Sequence, residues 1–574
     1  MGTLAWKDVS IAYQVHRTAG HRGDEAGTLL AVKNVDLELP PGRTIGIAGE
    51  SGSGKSTLAM SALRLLPKSA KITGQIMLDG EDLTDMNFGR LRAVRWTGAA
   101  IVFQGAMSSL NPVHRIRRQL VEALELHSSD KWDTEKARNQ RVDALMGLVD
   151  LPVSKAEAYP HELSGGQKQR VMIAMAMACD PDVIVADEPT TALDVVVQAQ
   201  VLDVLTQLVH DRGLSLLMIS HDLSVLAATC DELVVMRHGE IVERGKSREV
   251  MANPQHPHTK ELAAAFPTIG DKSSRLKVGR AHVSSAEASG EQSGVARLEV
   301  KDLSVHFDAH GQTIKAVDNV SLSCRQGEIV ALVGQSGSGK TTLARTILGL
   351  QKPTSGAVYF DGEPLGMKHK ELKAYRRKVQ FVPQDPAASL NPKRTVYESI
   401  AEGLNIHKVG GDERQRVADA LTKAELTPPE HYMGALPQEV SGGQRQRVVI
   451  AGALALEPEY LIADEPVASL DASVRGEILA LLLTLKNDLG LGALVITHDL
   501  GLAWNIADRV LVMHQGKIVE QGRVEDVLLN PQHDYTRKLL SVVPTVDHGI
   551  TADLITDEDL AAADQPAEVV ETRD

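Results

Sequence analysis

The chain has 574 residues, 43% of them hydrophobic and 24% charged, with a net charge of −14. That length exceeds what one core serves, so two or more domains are expected, and the composition excludes bulk disorder. The acidic balance argues against nucleic-acid binding, which would need a basic face, and Cys179, Cys230 and Cys324 are too far apart for a metal or redox pattern and fit packing residues in a reducing compartment.

In chain order, the N-terminus has no charged stretch leading into an apolar run, so no secretory signal is expected. Runs such as "VMIAMAMAC" (171–179) are far short of a bilayer span, and the expectation is a soluble chain that meets a membrane only through partners. "TIGIAGESGSGKST" (44–57) opens as a β-branched strand and passes through a glycine loop into a helix at Lys55. This is the pattern G-x-x-x-x-G-K-[ST]: Gly49, Ser51, Gly52, Ser53 and Gly54 let backbone N–H groups converge on phosphate, and the helix N-terminus adds favourable dipole. Lys55 would reach the β- and γ-phosphates and Ser56, ahead of Thr57, would bind Mg²⁺. "IVFQGAMSSLNP" (101–112) carries Gln104 before an Asn-Pro turn. In "LSGGQKQRV" (163–171), Ser164 can cap a helix while Gly165, Gly166 and Gln167 keep the backbone close to an anion. "VIVADEPTTALD" (183–194) is a strand ending in Asp187 and Glu188, followed by Asp194. Alternation turns the two carboxylates to opposite sides, so they take different roles: Asp187 beside Mg²⁺, Glu188 polarising an attacking water. His221 follows the next strand, in "SHD".

Each of these elements then returns. "GQSGSGKTT" (334–342) supplies Gly334, Ser336, Gly337, Ser338, Gly339, Lys340, Thr341 and Thr342; "FVPQDPAASLNP" (381–392) supplies Gln384; "VSGGQRQRV" (440–448) supplies Ser441, Gly442, Gly443 and Gln444. "YLIADEPVASLD" (460–471) supplies Asp464, Glu465 and Asp471, and "THD" supplies His498. Signature serine to glutamate and glutamate to histidine are 24 and 33 residues in both copies. The lysines are offset by 285 and the signature serines by 277, so the first copy has small insertions near its start. Two homologous domains in tandem are expected, at 1–267 and 297–546. The Ser-, Ala- and Gly-rich stretch 268–296 reads as a flexible linker, and 547–574, with nine acidic residues and one arginine, as a solvated, disordered tail.

From about residue 4 to 546 the chain resembles the ATP-binding-cassette (ABC) ATPases, whose signature is S-G-G-Q. The resemblance implies an α/β fold of tandem P-loop NTPase domains. Each would have a mainly parallel sheet core, an antiparallel β subdomain and a helical signature subdomain. It implies two composite ATP sites formed head to tail. One would join the loop at 49–57, Asp187, Glu188 and His221 to Ser441–Gln444; the other would join 334–342, Asp464, Glu465 and His498 to Ser164–Gln167. It further implies Mg²⁺ held by Ser56, Gln104 and Asp187, and by Thr341, Gln384 and Asp464, and D-loop roles for Asp194 and Asp471. Tyr13 ("DVSIAY") and Phe307 ("DLSVHF") look like the adenine-stacking aromatic, although either could instead pack in the core. His221 and His498 sit where the family contacts the γ-phosphate. Val440 and Ser469 depart from the usual leucine and alanine without removing a reacting group, so two hydrolytic sites are expected.

"SLNP" beside both glutamines, the hairpins "GEIVERG" and "GKIVEQG", and "NPQHPHTKEL" (253–262) and "NPQHDYTRKLL" (530–540) resemble the dipeptide/oligopeptide/nickel importer subfamily. His258 departs from its tyrosine and Asp534 from its second proline. The resemblance implies two transmembrane permeases received at the Gln104 and Gln384 loops, an extracytoplasmic binding protein, and a place on the cytoplasmic face of the inner membrane. Many subfamily members carry a cysteine-rich stretch after this element, in some cases holding an iron–sulfur cluster. The stretch from Leu262 to the start of the second copy and the stretch after Leu540 hold no cysteine, so no cluster is expected. The rivals are a tandem cassette acting on ribosomes, which would need a long charged helical linker, and a tandem sugar-importer ATPase, whose second site is typically degenerate. Among substrates peptides lead, ahead of nickel chelates, glutathione-like molecules and opines.

Overall fold

The computed structural model describes residues 2–15, 27–103, 105, 109–127, 130–191, 193–265, 269–272, 274–276, 296–309, 312–468, 470–543 and 569–570. Gln104 and Ser469 lie outside the described residues. The chain divides into two units, Met1–Phe266 with Val542–Ala552, and Pro267–Ser541 with Asp553–Asp574.

The first unit contains β1 (Leu4–Val15), β2 (Gly27–Leu39), β3 (Thr44–Ala48), β4 (Ala70–Leu78), β5 (Glu81–Asp82), β6 (Ala99–Val102), β7 (Val183–Asp187), β8 (Ser215–Ile219), β9 (Glu232–Arg237) and β10 (Glu240–Lys246). They form an antiparallel sheet in the order β2-β1-β4-β5 and a second sheet in the order β10-β9-β3-β8-β7-β6. In the second sheet all neighbours run parallel except the β9–β10 hairpin. Its inner strands are short, continuous apolar runs because both faces are covered, and β3, β7 and β8 are buried at every residue. One apolar cluster ties the sheets together: Trp6, Leu37 and Ile76 from the antiparallel sheet, Ile45, Val185 and Leu217 from the parallel one, and Leu58 from the helix Lys55–Ser61.

The second unit repeats this plan with β11 (Ala296–Ala309), β12 (Gln312–Arg325), β13 (Ile329–Val333), β14 (Ser355–Phe360), β15 (Glu363–Pro364), β16 (Val379–Val382), β17 (Tyr460–Asp464), β18 (Gly492–Thr497), β19 (Arg509–His514), β20 (Lys517–Arg523) and β21 (Val569–Val570). Its sheets run β15-β14-β11-β12-β21 and β16-β17-β18-β13-β19-β20. Val396–His407, Glu413–Lys423 and Gly442–Leu454 pack as a helical layer around Ile400, Leu404, Val417, Leu421 and Val448.

Two stretches outside the repeated cores also have described residues with partners. The described start of the linker is docked on the second unit: Arg275 donates to Glu525 (2.6 Å) and to the Ala507 carbonyl (2.8 Å), and its guanidinium lies over the Trp504 ring. A polar Ser- and Gly-rich composition says nothing about one arginine with an aromatic face and a carboxylate within reach. In the acidic tail, the described residues Val569–Val570 add to the edge of β12 opposite Ile314 and Thr313. An open sheet edge offers unpaired backbone groups to any short extended segment.

Candidate functional site

In each unit the parallel order brings three strand ends together. β3 runs into the phosphate loop, its neighbour β8 leads to His221, and β7, one strand further, ends in Asp187 and Glu188. The second unit places β13, β18 and β17 in the same way before Lys340, His498 and Asp464–Glu465. The carboxyl ends of strands in an open α/β sheet are where ligands bind.

The loops are shaped by their glycines. Gly54 and Gly339 have φ of 102° and 103°, and a Cβ there would lie 2.4 Å and 2.0 Å from the carbonyls of Ala31 and Ala316. Only glycine fits such a backbone this close to another strand. Lys55 Nζ donates to the carbonyls of Gly49 and Glu50 (2.7 Å each), and Lys340 Nζ to those of Gly334 (2.7 Å) and Gln335 (2.6 Å). Each ammonium is therefore buried against the backbone of its own loop.

Ser56 Oγ donates to Asp187 Oδ1 at 3.1 Å, and Asp187 is buried. Burial pushes its carboxyl above the ordinary range, against the opposing Ser56 hydrogen bond. Burial likewise raises Asp464, with Thr341 opposing. A hydroxyl beside a buried carboxylate is an all-oxygen donor set of the kind Mg²⁺ takes, and a buried acid gains its charge readily once a cation is near.

Glu188 and Glu465 both sit at positive φ, 48° and 47°, which is uncommon for a non-glycine residue. Their N–H groups donate to Ile219 O (3.0 Å) and Ile496 O (2.8 Å), which holds the turn. The described partners of the two side chains are as follows. Glu188 accepts from Thr191 Oγ1 at 2.8 Å, with His221 Nδ1 3.8 Å away. Glu465 is 2.8 Å from His498 Nδ1 and accepts from Gln384 Nε2 at 2.7 Å. Burial would raise both glutamates, but the adjacent histidine, the loop lysine and the other hydrogen-bond donors together outweigh it, and both stay below the ordinary carboxylate range. Burial would lower His498, but Glu465 outweighs it and the imidazole lies above its usual value. An ionised carboxylate at a strand end, beside an imidazole, can accept a proton from water.

The signature residues form helix N-termini within their own units. Ser164 Oγ accepts from Gln167 N (3.3 Å) while Gln167 Oε1 accepts from Ser164 N (3.2 Å); Ser441 and Gln444 do the same at 3.2 and 2.9 Å. The Ser-x-x-Gln spacing is therefore a capping box. A Cβ on Gly166 or Gly443 would meet Val197 at 2.1 Å or Val474 at 2.4 Å, so the second glycine is a packing requirement. Asp194 caps the helix Val195–Arg212 through Val197 N, and Asp471 is at the N-cap of Ala472–Leu489. Tyr13 is half-buried, its hydroxyl 3.3 Å from Thr57 Oγ1, while Phe307 is exposed.

Sequence reasoning missed two contacts. Thr191 was signalled only by the difference between "EPTTA" and "EPVAS". Tyr535, in the second N-P-Q-H element, accepts a hydrogen bond from Gln335 N in the phosphate loop (3.1 Å), a tie across 200 residues that no local pattern shows.

Repeated phosphate loops with a carboxylate pair and a histidine on adjoining strand ends define a tandem ATP-hydrolysing cassette protein. The family model "ABC transporter" matches residues 32–191 and 317–468, and "Oligopeptide/dipeptide transporter, C-terminal region" matches 242–293 and 519–567. The chain belongs to the ABC transporter ATPases, as the ATP-hydrolysing subunit of an importer of oligopeptide/dipeptide type. It is 40% identical over 546 residues to a "Glutathione import ATP-binding protein GsiA" of Salmonella paratyphi A, covering 90% of this chain and 87% of that one. A protein of the same name from Escherichia coli K12 is 39% identical over 548 residues, with the same shares. An archaeal ribosome recycling factor, solved in complex with a ribosomal stalk protein, aligns with TM-score 0.55 over 84% of each chain; at 20% identity this likeness concerns the fold alone. Among the described residues no helix is long and apolar enough to cross a membrane. As the ATPase subunit of an importer, the chain works with membrane permease partners.

Proposed function

We propose that the chain drives import of glutathione or similarly short peptides, using both of its ATP sites. The repeated Lys–carboxylate–His arrangement at equivalent strand ends supports two working sites. The names of the relatives support glutathione among the peptide-class solutes. Loop N–H groups and Lys55 or Lys340 bind the β- and γ-phosphates, and the helix N-terminus behind them adds its dipole. Ser56 with Asp187, and Thr341 with Asp464, would hold Mg²⁺, which when bound neutralises phosphate charge. Glu188 and Glu465 orient the attacking water and accept its proton; His221 and His498 donate toward the γ-phosphate. Tyr13 and Phe307 stack on adenine. Ser164–Gln167 and Ser441–Gln444 each complete the site of the opposite unit, with Asp194 and Asp471 in the connecting turns. The Gln104 and Gln384 segments receive the permeases, an extracytoplasmic binding protein delivers the solute, and the chain is peripheral at the inner membrane.

The test is uptake of labelled glutathione and of a dipeptide into vesicles holding the chain with its permeases and binding protein. Glutathione uptake that requires ATP, and that Glu188→Gln and Glu465→Gln each abolish, is expected. Vesicles that take up neither solute, or full transport in either variant, would count against it.

A further inference from the structure

The C-terminal element of each copy is built onto its phosphate loop by one scaffold. In the second unit Glu520, on hairpin strand β20, accepts from the backbone N–H groups of Gln532 (2.8 Å) and His533 (3.1 Å). His533 Nδ1 then accepts from Tyr535 N (3.1 Å) and starts the helix Asp534–Ser541. The first unit repeats each bond: Glu243 accepts from Gln255 (2.8 Å) and His256 (2.9 Å), and His256 Nδ1 from His258 N (3.2 Å). Residues 258 and 535 are thus delivered to the same place, next to the first variable residue of the loop.

What they do there differs. The Tyr535 ring stacks on His514 (centroids 3.9 Å apart, 27°), and its hydroxyl accepts from Gln335 N. The carbonyl of that same Gln335 holds Lys340 Nζ at 2.6 Å. The tyrosine therefore fixes the residue that fixes the phosphate-binding lysine. In the first unit three positions change together: Glu50 replaces Gln335, Arg237 replaces His514 and His258 replaces Tyr535. His258 is fully buried, yet both ring nitrogens lack a hydrogen-bond partner, and Arg237 Nε is also buried without one. Glu261, on its own helix, comes within 3.7 Å of His258 Nδ1, and the charges of Glu50 and Arg237 also bear on the ring. A buried imidazole with both nitrogens unmet is costly and braces nothing.

We propose that Tyr535 is a positioning residue that braces the second phosphate loop, and that its replacement by His258 leaves the first loop unbraced, so the second site binds ATP more tightly than the first. The inference rests on each loop holding one nucleotide. It adds an inequality that the reacting groups, intact in both copies, do not show.

The test uses the full-length chain and a fluorescent ATP analogue with Mg²⁺. Lys55→Ala silences the first loop and Lys340→Ala the second, and each variant should bind one nucleotide per chain. The Lys55→Ala chain, which reports the second site, should bind more tightly than the Lys340→Ala chain. Adding Tyr535→Phe, which keeps the ring and its stacking, should weaken binding in the Lys55→Ala chain by about three- to tenfold, the worth of one hydrogen bond. It should leave the Lys340→Ala chain unmoved. In the otherwise unmodified protein the same substitution should raise KM for ATP more than it lowers kcat. The transplant Glu50→Gln/Arg237→His/His258→Tyr should tighten the Lys340→Ala chain by a similar factor, so the proposal does not depend on Tyr535→Phe folding well. An unchanged Kd for Tyr535→Phe, even with a lowered Tm, would overturn it. So would a transplant that folds but does not tighten binding. Two nucleotides retained in either lysine variant would sink the assignment of the loops, and the brace with it.

Discussion

The two phosphate cradles share every reacting group but hold them differently. In the first, Glu188 rests on the Thr191 hydroxyl and His221 stands 3.8 Å off. In the second, Ala468 takes the place of Thr191, and Glu465 turns to His498 at 2.8 Å and Gln384 at 2.7 Å. Thr191 donates to Glu188 Oε2, the oxygen whose counterpart in the second copy takes Gln384, while the histidine faces Oε1 in both copies. Copies that look equivalent as motifs can therefore differ in how their acid–base groups are poised, because poise is set by neighbours that lie outside the motif.

The hardest way to break the equivalence is to remove the base from one copy at a time. Glu188→Gln or Glu465→Gln should slow hydrolysis at the altered site about a hundredfold, the usual worth of a positioned general base. Steady-state phosphate release under saturating ATP measures it. If the cycle alternates between sites, either variant stops nearly all turnover; if they fire independently, about half remains, a fraction that follows from the two-site count. Full activity in either variant would mean that the glutamate of that copy is a bystander.

A smaller effect belongs to the signature serines, which have a local duty before any remote one. Ser164→Ala and Ser441→Ala each remove the acceptor of a capping box and should cost about 1 kcal/mol of stability in the altered unit. Asparagine keeps an oxygen acceptor, so Ser441→Asn should recover the stability seen in thermal unfolding. If ATPase activity returns with it, the serine serves as a cap alone. If activity stays low while stability recovers, the hydroxyl has a further partner, as a composite site requires.

Much of this arrangement was legible in the sequence, for a physical reason. The phosphate loop, the strand ending in Asp187 and Glu188, and the Ser-x-x-Gln cap are each set by residues within a few positions, so local chemistry writes them as motifs. The repeat then doubles every signal. What was not legible depends on distant pairing. Arg275 reaching Glu525 and Trp504, and Tyr535 reaching Gln335, join residues about 200 or more apart, and neither partner carries a pattern of its own. The short strand Val569–Val570, paired with β12, carries no signal in an acidic composition that says only how a tail is solvated. Thr191 stood inside a quoted motif and was passed over, because its importance shows only against the alanine in the other copy.

The finest probe of the comparison is the titration of His498. Its pKa is raised above the ordinary 6.5 and that of Glu465 is lowered below the ordinary 4.5. A raised histidine contributes stability that is fully present below pH 6.5 and lost as pH rises through its folded value; a lowered glutamate contributes stability present above pH 4.5 and lost as pH falls through its folded value. The pair therefore supports the second unit most fully between these two ordinary values and fades on either side. Ring-labelled histidine followed by NMR from acid pH to well above 6.5 should show His498 titrating late. Glu465→Gln removes the charge that raises it and should bring the midpoint down. Ala468→Thr should bring it down by less, because the new hydroxyl would donate to the same carboxylate and draw off part of its charge, as the Thr191 hydroxyl donates to Glu188 in the first unit. A His498 midpoint that ignores Ala468→Thr would mean that the hydroxyl does not draw on the carboxylate's charge, and the contrast between the cradles would need another cause.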